Sequence, residues 1–232
     1  MKKIAWILSF AFLLNGCEVL QNLPVSTGMV TEAEAGQGIK EALSNGITNA
    51  VLQLNKEDGF FKDAFYKILL PPEAKKVENT LRDLGMGKIV DKAILQVNRG
   101  AEDAAGYAKP IFVDAIKNMT LQDAIGLVKN GDTSVTHFFR EKTTLKLTTA
   151  FLPVIKSSLN KTEATKYYGD IVNTYNSFPT TLKKINPDLP GYVTERATNA
   201  LFELIAKEER NIRQNPLART SDILKKVFGQ KI

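Results

Sequence analysis

One cysteine, one histidine and one tryptophan are all that this chain of 232 residues contains of those types. With Cys17 alone, no intramolecular disulfide can form, so in an oxidising compartment the fold must rest on its core. With His137 as the only histidine, there is no Cys/His cluster for a zinc site of the usual kind. The sequence also lacks a G-x-S-x-G nucleophile elbow, a Walker loop and a G-x-G-x-x-G turn, and with them the hydrolase and nucleotide chemistries those motifs carry. No long stretch alternates apolar and polar residues, which removes the strand signal. Lys and Arg (31) outnumber Asp and Glu (25), but they are scattered among the acids. A nucleic-acid footprint would need clustering, so none is expected.

What is present begins at the first residue. Lys2 and Lys3 form a short basic region, and Ile4 to Leu14 is an apolar run too short to cross a bilayer as a helix. The run ends in Leu14-Asn15-Gly16-Cys17, which resembles the lipobox of bacterial lipoproteins, with Asn15 the less usual choice. The resemblance implies cleavage before Cys17 and acylation of that residue. Acylation would also remove the lone thiol, a liability outside the cell. Two or three acyl chains suffice for stable anchoring. The expected organisation is a signal peptide over 1–16, an acylated Cys17 with a tether to residue 30, and one all-α domain over 31–232. Residues 18–30 have little periodicity and would reach at most about 45 Å. Removal of Lys2 and Lys3 would lower the net charge from +6 to about +4. The expected location is the cell envelope, lipid-anchored in the outer membrane and facing the periplasm.

The body reads as an irregular multi-helix bundle around a long central helix. Apolar residues recur at helical spacing from Ile89 to Ile116, with a small-residue centre at Gly100, Ala101, Ala104 and Ala105 that lets a second backbone come close. Pro110 predicts a kink there. Thr31 with Glu34, and Thr120 with Asp123, are capping signatures that open helices. Helix stops are expected at Gly85 and Gly87, at Asn130-Gly131 and at Asn215-Pro216. Thr133 opens a helix with a kink near Pro153, Thr162 to Tyr175 forms another, and a long one runs from Tyr192 to Arg213 with Val193, Ala197, Ala200, Leu201, Leu204, Ile205 and Ile212 inward. A last helix is expected over Ser221 to Phe228.

Four stretches carry a further resemblance: 36–43 (GQGIKEAL), 98–102 (NRGAE), 119–124 (MTLQDA) and 212–220 (IRQNPLART). They are similar to an uncharacterised family of Gram-negative lipoproteins, catalogued as a domain of unknown function. The resemblance spans nearly all of the chain after the tether and implies an all-α fold. It brings no activity and no catalytic residues. Two positions depart from it: Gly100 stands where the family usually has Ala, and His137 where Gln is expected. An essential histidine chemistry is therefore not expected, and His137 reads as a packing or helix-surface residue.

Among charged residues, Glu208 falls in the apolar stripe of the last long helix, one turn beyond Leu204. A buried carboxylate must be paired, hydrogen-bonded or protonated. Arg213, Arg219 and Asn98 are its expected partners, making a latch between helices; the rival reading is a cleft carboxylate working with Glu209 or Asp222. Asn98, Arg99, Glu102 and Asp103 lie off the apolar stripe and read as solvated helix support, or alternatively as a polar site in an interhelical groove. Aromatic pairs at 60–61, 138–139 and 167–168 place one ring inward each, and some could line an apolar pocket. No catalytic residue, metal ligand or cofactor is expected. The functional expectation is a non-catalytic binding or scaffolding protein of the envelope, with the membrane as partner through Cys17 and an envelope protein as a further one. The alternatives are a carrier or sensor of an apolar ligand held between helices, and a carboxylate-based metal-dependent hydrolase.

Overall fold

A computed structural model describes residues 31–131, 133–161, 163–179, 181, 183–218, 222 and 225. Among these the structure is all-α, with no strand. The helices are α1 (Glu32–Asn55), α2 (Lys75–Asp83), α3 (Gly87–Ala105), α4 (Ala108–Lys117), α5 (Leu121–Lys129), α6 (Ser134–Leu159), α7 (Glu163–Ser177) and α8 (Leu189–Gln214). The lipobox, the tether, Arg219 and nearly all of the expected last helix lie outside the described residues.

The local signals act as read. Thr31 caps α1 and Glu34 bonds back to it. Thr120 and Asp123 do the same for α5. Gly85 and Gly131 adopt φ of +79° and +80°, the left-handed region where a side chain would be strained. Asp188 rather than Tyr192 marks the start of α8. It accepts from the Gly191 amide, and Pro190 sits in the first turn.

The expected central helix is divided. It breaks at Gly106 and Tyr107 into α3 and α4, and Pro110 falls in the first turn of α4 rather than at a kink. There its missing N–H has no intrahelical acceptor to lose, so the ring is tolerated. α3 does occupy the centre, touching α1, α2, α6, α7 and α8. Its small residues perform the expected role: Ala101, Ala104 and Ala105 are fully buried. A Cβ placed on Gly100 would stand 3.3 Å from Ser158 Cβ and 3.7 Å from Ile155 Cα, both on α6. α6 runs unbroken through Pro153 and packs against both α3 and α8. Where α4, α6 and α8 meet, Phe112 makes edge-to-face contacts with Phe139 at 5.6 Å and Phe202 at 6.2 Å. Of the aromatic pairs, Phe60, Phe139 and Tyr168 are buried, and His137 is exposed on α6.

Candidate functional site

Three features of the body contain charged or apolar groups that a local reading of helices would not require. Two are buried carboxylate networks, and the third is a groove.

The first network centres on α3. Asn98 is fully buried and Glu102 nearly so, against the expectation that both lie off the buried face. The segment joining α1 to α2 has no regular helix to satisfy its amides, and α3 supplies the partners instead. Glu102 Oε1 accepts from the Phe60 and Phe61 amides, both at 3.1 Å. Asn98 accepts from the Ile68 amide at 2.8 Å and donates to the Ile68 carbonyl at 2.8 Å, pairing with that residue as a neighbouring strand would. Arg99 bonds Glu102 at 2.6 Å, Asp58 at 2.8 Å and Glu57 at 3.2 Å. The Glu102 contact raises the Arg99 pKa further, while Lys62 and then Arg99 hold the Asp58 carboxyl below its usual range. Asp103, the other acid considered there, stays exposed. The expected Arg99–Glu102 pair therefore exists, but it is a buried clamp on the 56–68 segment rather than solvated support.

The second network corrects the place assigned to Glu208, while the apolar stripe expected on α8 is buried from Val193 to Ile205. Glu208 is half-buried and makes no hydrogen bond or ion pair among the described residues; it edges a small apolar cavity of about 40 Å³ between α1 and α8. The buried carboxylate is its neighbour, Glu209, which is 6% exposed. Glu209 accepts from the Val135 amide at 3.1 Å, the Thr136 amide at 3.0 Å and Thr136 Oγ1 at 2.9 Å. Those amides lie in the first turn of α6. Thr133 precedes α6 with φ of 75° and makes no side-chain cap, so Glu209 fills that place from another helix. Arg213 bonds Glu209 at 2.9 Å, the Leu127 carbonyl at 2.6 Å and Ser134 Oγ at 2.9 Å. A buried latch between α8 and α6 is thus present, with Arg213 as the cation, but its anion is Glu209 and not the expected Glu208. Asn98 belongs to the first network and not to this one, and Arg219 lies outside the described residues.

Neither network leaves a reactive group. Each carboxylate is spread over two successive backbone amides and an arginine, which is a holding arrangement. Among the described residues no three His, Cys, Asp or Glu side chains converge as metal ligands would.

The groove lies between α2, α3 and α7. Its inner part has a volume of about 240 Å³ and is walled by Leu70, Ala74, Val77, Leu81, Val90 and Ile171. The outer part, about 390 Å³, shares Val77, Leu81 and Ile171 and adds Lys76, Thr80, Asp170, Thr174 and Tyr175. Together they fall within the range of about 300–1,000 Å³ typical of small-molecule sites. α2 is amphipathic and, among the helices, packs chiefly on α3, so much of its apolar face is turned to the groove. Glu78 reaches the inner part but is matched by Lys75 at 3.3 Å and Arg82 at 3.0 Å, and Arg82 bonds Asp91 of α3 at 2.9 Å. Tyr168 closes the inner end. Burial pushes its phenol up to about 12, and its hydroxyl donates to the Asn186 carbonyl at 3.3 Å. Met86 and Ile89, which line the inner part, and Phe178, which lines the outer, are exposed.

Of the groove residues, reading the sequence offered only Tyr168, through the 167–168 pair, as a possible pocket lining. The signal that could have found the rest is the short amphipathic segment 73–84 between Pro71-Pro72 and Gly85.

A family model described as "Protein of unknown function (DUF4197)" matches residues 29–229. No curated protein and no solved structure matches the chain.

Proposed function

We propose that this chain, which belongs to the DUF4197 family of proteins of unknown function, is a lipid-anchored protein of the cell envelope whose helical body binds rather than catalyses. The observation that carries the anchor is the series Lys2-Lys3, the apolar run 4–14 and Leu14-Asn15-Gly16-Cys17. No helix among the described residues is long and apolar enough to cross a membrane. In this reading the acyl chains on Cys17 hold the protein. Residues 17–30 tether the body, in the outer membrane and facing the periplasm. That the body binds is supported by the use made of its buried charges: Glu102, Arg99, Glu209 and Arg213 are committed to backbone groups and to one another.

The test follows fatty-acid incorporation in a Gram-negative host. The wild-type chain is expected to take up labelled palmitate, to lose residues 1–16 and to fractionate with the outer membrane. Cys17→Ser is expected to keep those residues and take up no label. A variant processed and labelled as the wild type would refute the anchor.

A specific observation also favours a second reading, in which the body holds an apolar ligand between helices. It is the groove of α2, α3 and α7, whose inner walls are almost wholly aliphatic.

A further inference from the structure

We propose that the groove holds a single-chain amphiphile with a small zwitterionic head, of the lysophosphatidylethanolamine class, its chain in the inner part and its head in the outer part. This rests on the reading that the body holds an apolar ligand between helices and names that ligand's chemistry.

Three observations carry it. The groove is mainly apolar throughout, and Lys76, Asp170 and hydroxyl-bearing side chains border its outer zone. Val77, Leu81 and Ile171 run through both, whereas Ala74, Val90 and Ala93 line the inner zone alone, and Thr80, Thr174 and Tyr175 the outer. A polar molecule would waste this apolar lining, and a wholly apolar one would leave Lys76 and Asp170 at the outer border unanswered. An amphiphile matches both. The second observation concerns charge. In the inner zone Glu78 is neutralised by Lys75 and Arg82, so nothing there calls for a charged ligand. In the outer zone Lys76 on α2 and Asp170 on α7 have no ion-pair partner among the described residues, although both line the same space. Thr80 and Thr174 do not answer them, since their hydroxyls donate to the backbone carbonyls of Lys76 and Asp170. A purely anionic head would suit Lys76 and be repelled by Asp170; a cationic head would meet the converse. A head carrying a phosphate and an ammonium answers both walls. The third observation is the construction of α2. It stands between Pro71-Pro72 and Gly85 and, among the helices, packs mainly on α3, so its remaining apolar face is left to the groove.

The experiment uses the full chain purified from membranes and reconstituted in phosphatidylcholine vesicles. The probe is a lysophosphatidylethanolamine with a diazirine in its acyl chain, and adducts are mapped by peptide mass spectrometry. Adducts are expected on peptides carrying Val77, Leu81, Ala93 and Ile171. Ala93→Trp, which fills the inner zone, is expected to reduce them roughly tenfold, about 1.4 kcal/mol of affinity. Circular dichroism confirms that this variant remains helical, and Ile171→Trp provides a second plug should it not. Unlabelled lysophosphatidylethanolamine is expected to compete better than palmitate or lysophosphatidylglycerol. Asp170→Asn should weaken the zwitterion and strengthen both anions; Lys76→Gln should weaken all three. Adducts scattered outside the groove, or unchanged by both plugs, would overturn the proposal together with the apolar-ligand reading. Groove adducts that palmitate displaces as well as the zwitterion does would overturn the head-group assignment alone and leave a fatty-acyl site.

Discussion

Replacing Glu209 separates the buried latch from the position beside it. In Glu209→Ala, the Val135 and Thr136 amides at the start of α6 lose their acceptor, and Arg213 loses its carboxylate while keeping the Leu127 carbonyl and Ser134. An unsatisfied buried donor costs about 1–3 kcal/mol. Breaking a buried pair by removing one partner costs about 3–5 kcal/mol. These effects overlap, because water reaches the vacated site and Arg213 retains two acceptors, so about 3–5 kcal/mol is expected for the whole. Glu208→Ala, at a half-buried side chain with no partner among the described residues, should stay within about 0.5 kcal/mol. Glu209→Gln keeps one acceptor oxygen for the α6 amides but offers Arg213 no charge, and should fall between. With a urea slope of about 2–3 kcal/mol per molar, the Ala variant should lower the midpoint by roughly 1–2 M. The measurement is urea unfolding followed by far-ultraviolet circular dichroism on the wild type and the three variants. If Glu208→Ala proved as damaging as Glu209→Ala, the assignment of the latch to Glu209 would be wrong.

Gly100→Ala sets a helix-propensity gain of about 1 kcal/mol against a contact 3.3 Å from Ser158 Cβ, so its midpoint should move by less than about 1 kcal/mol either way. Gly100→Val should cost more than about 2 kcal/mol, and equal stability of the two would show that α3 and α6 are not in close contact there. Tyr168 binds its proton more tightly folded than unfolded, so its contribution is complete below pH 10 and is lost as pH rises from there through about 12. Tyr168→Phe should flatten the fall in stability across that window, read by urea midpoints at stepped pH; an unchanged profile would refute the assignment.

Much of the fold was legible because its signals are local. The capping boxes at Thr31 and Thr120 join residues three apart, and the glycines at 85 and 131 declare a backbone conformation that no neighbour need explain. The start of α6 was legible as a boundary but its cap was not, since the acceptor lies 73 and 74 residues away on α8. The division of the central helix was hidden because α3 and α4 keep a continuous apolar pattern across Gly106; the breakpoint is fixed by packing against α1, where Asn55 lies 2.9 Å from a Cβ placed on Gly106. The groove was hidden for a related reason. An apolar residue facing a cavity and one facing a core have the same period in the sequence.

The error at Glu208 has a physical origin that reaches beyond one residue. α8 is buried along two rows rather than one. The first, Val193, Ala197, Leu201 and Leu204, is apolar and was read correctly. The second is Thr194, Thr198, Phe202, Ile205 and Glu209, and three of its five members are polar. Its threonines are buried at little cost because each hydroxyl donates to a carbonyl four residues earlier, Pro190 for Thr194 and Thr194 for Thr198. Hydrophobic periodicity cannot register such a row, since the polarity of its members is satisfied within the helix or by a partner elsewhere. α3 repeats the pattern with Ile94, Asn98 and Glu102 at successive fourth positions. Asn98, Glu102 and Glu209 of these rows bond amides that lack partners of their own, at 60, 61 and 68 for α3 and at 135 and 136 for α8. The mixed rows are therefore where two junctions are held, the segment 56–68 and the start of α6. Charges committed in this way are not free for chemistry, whereas Lys76 and Asp170 beside the groove lack partners among the described residues and remain able to meet a ligand.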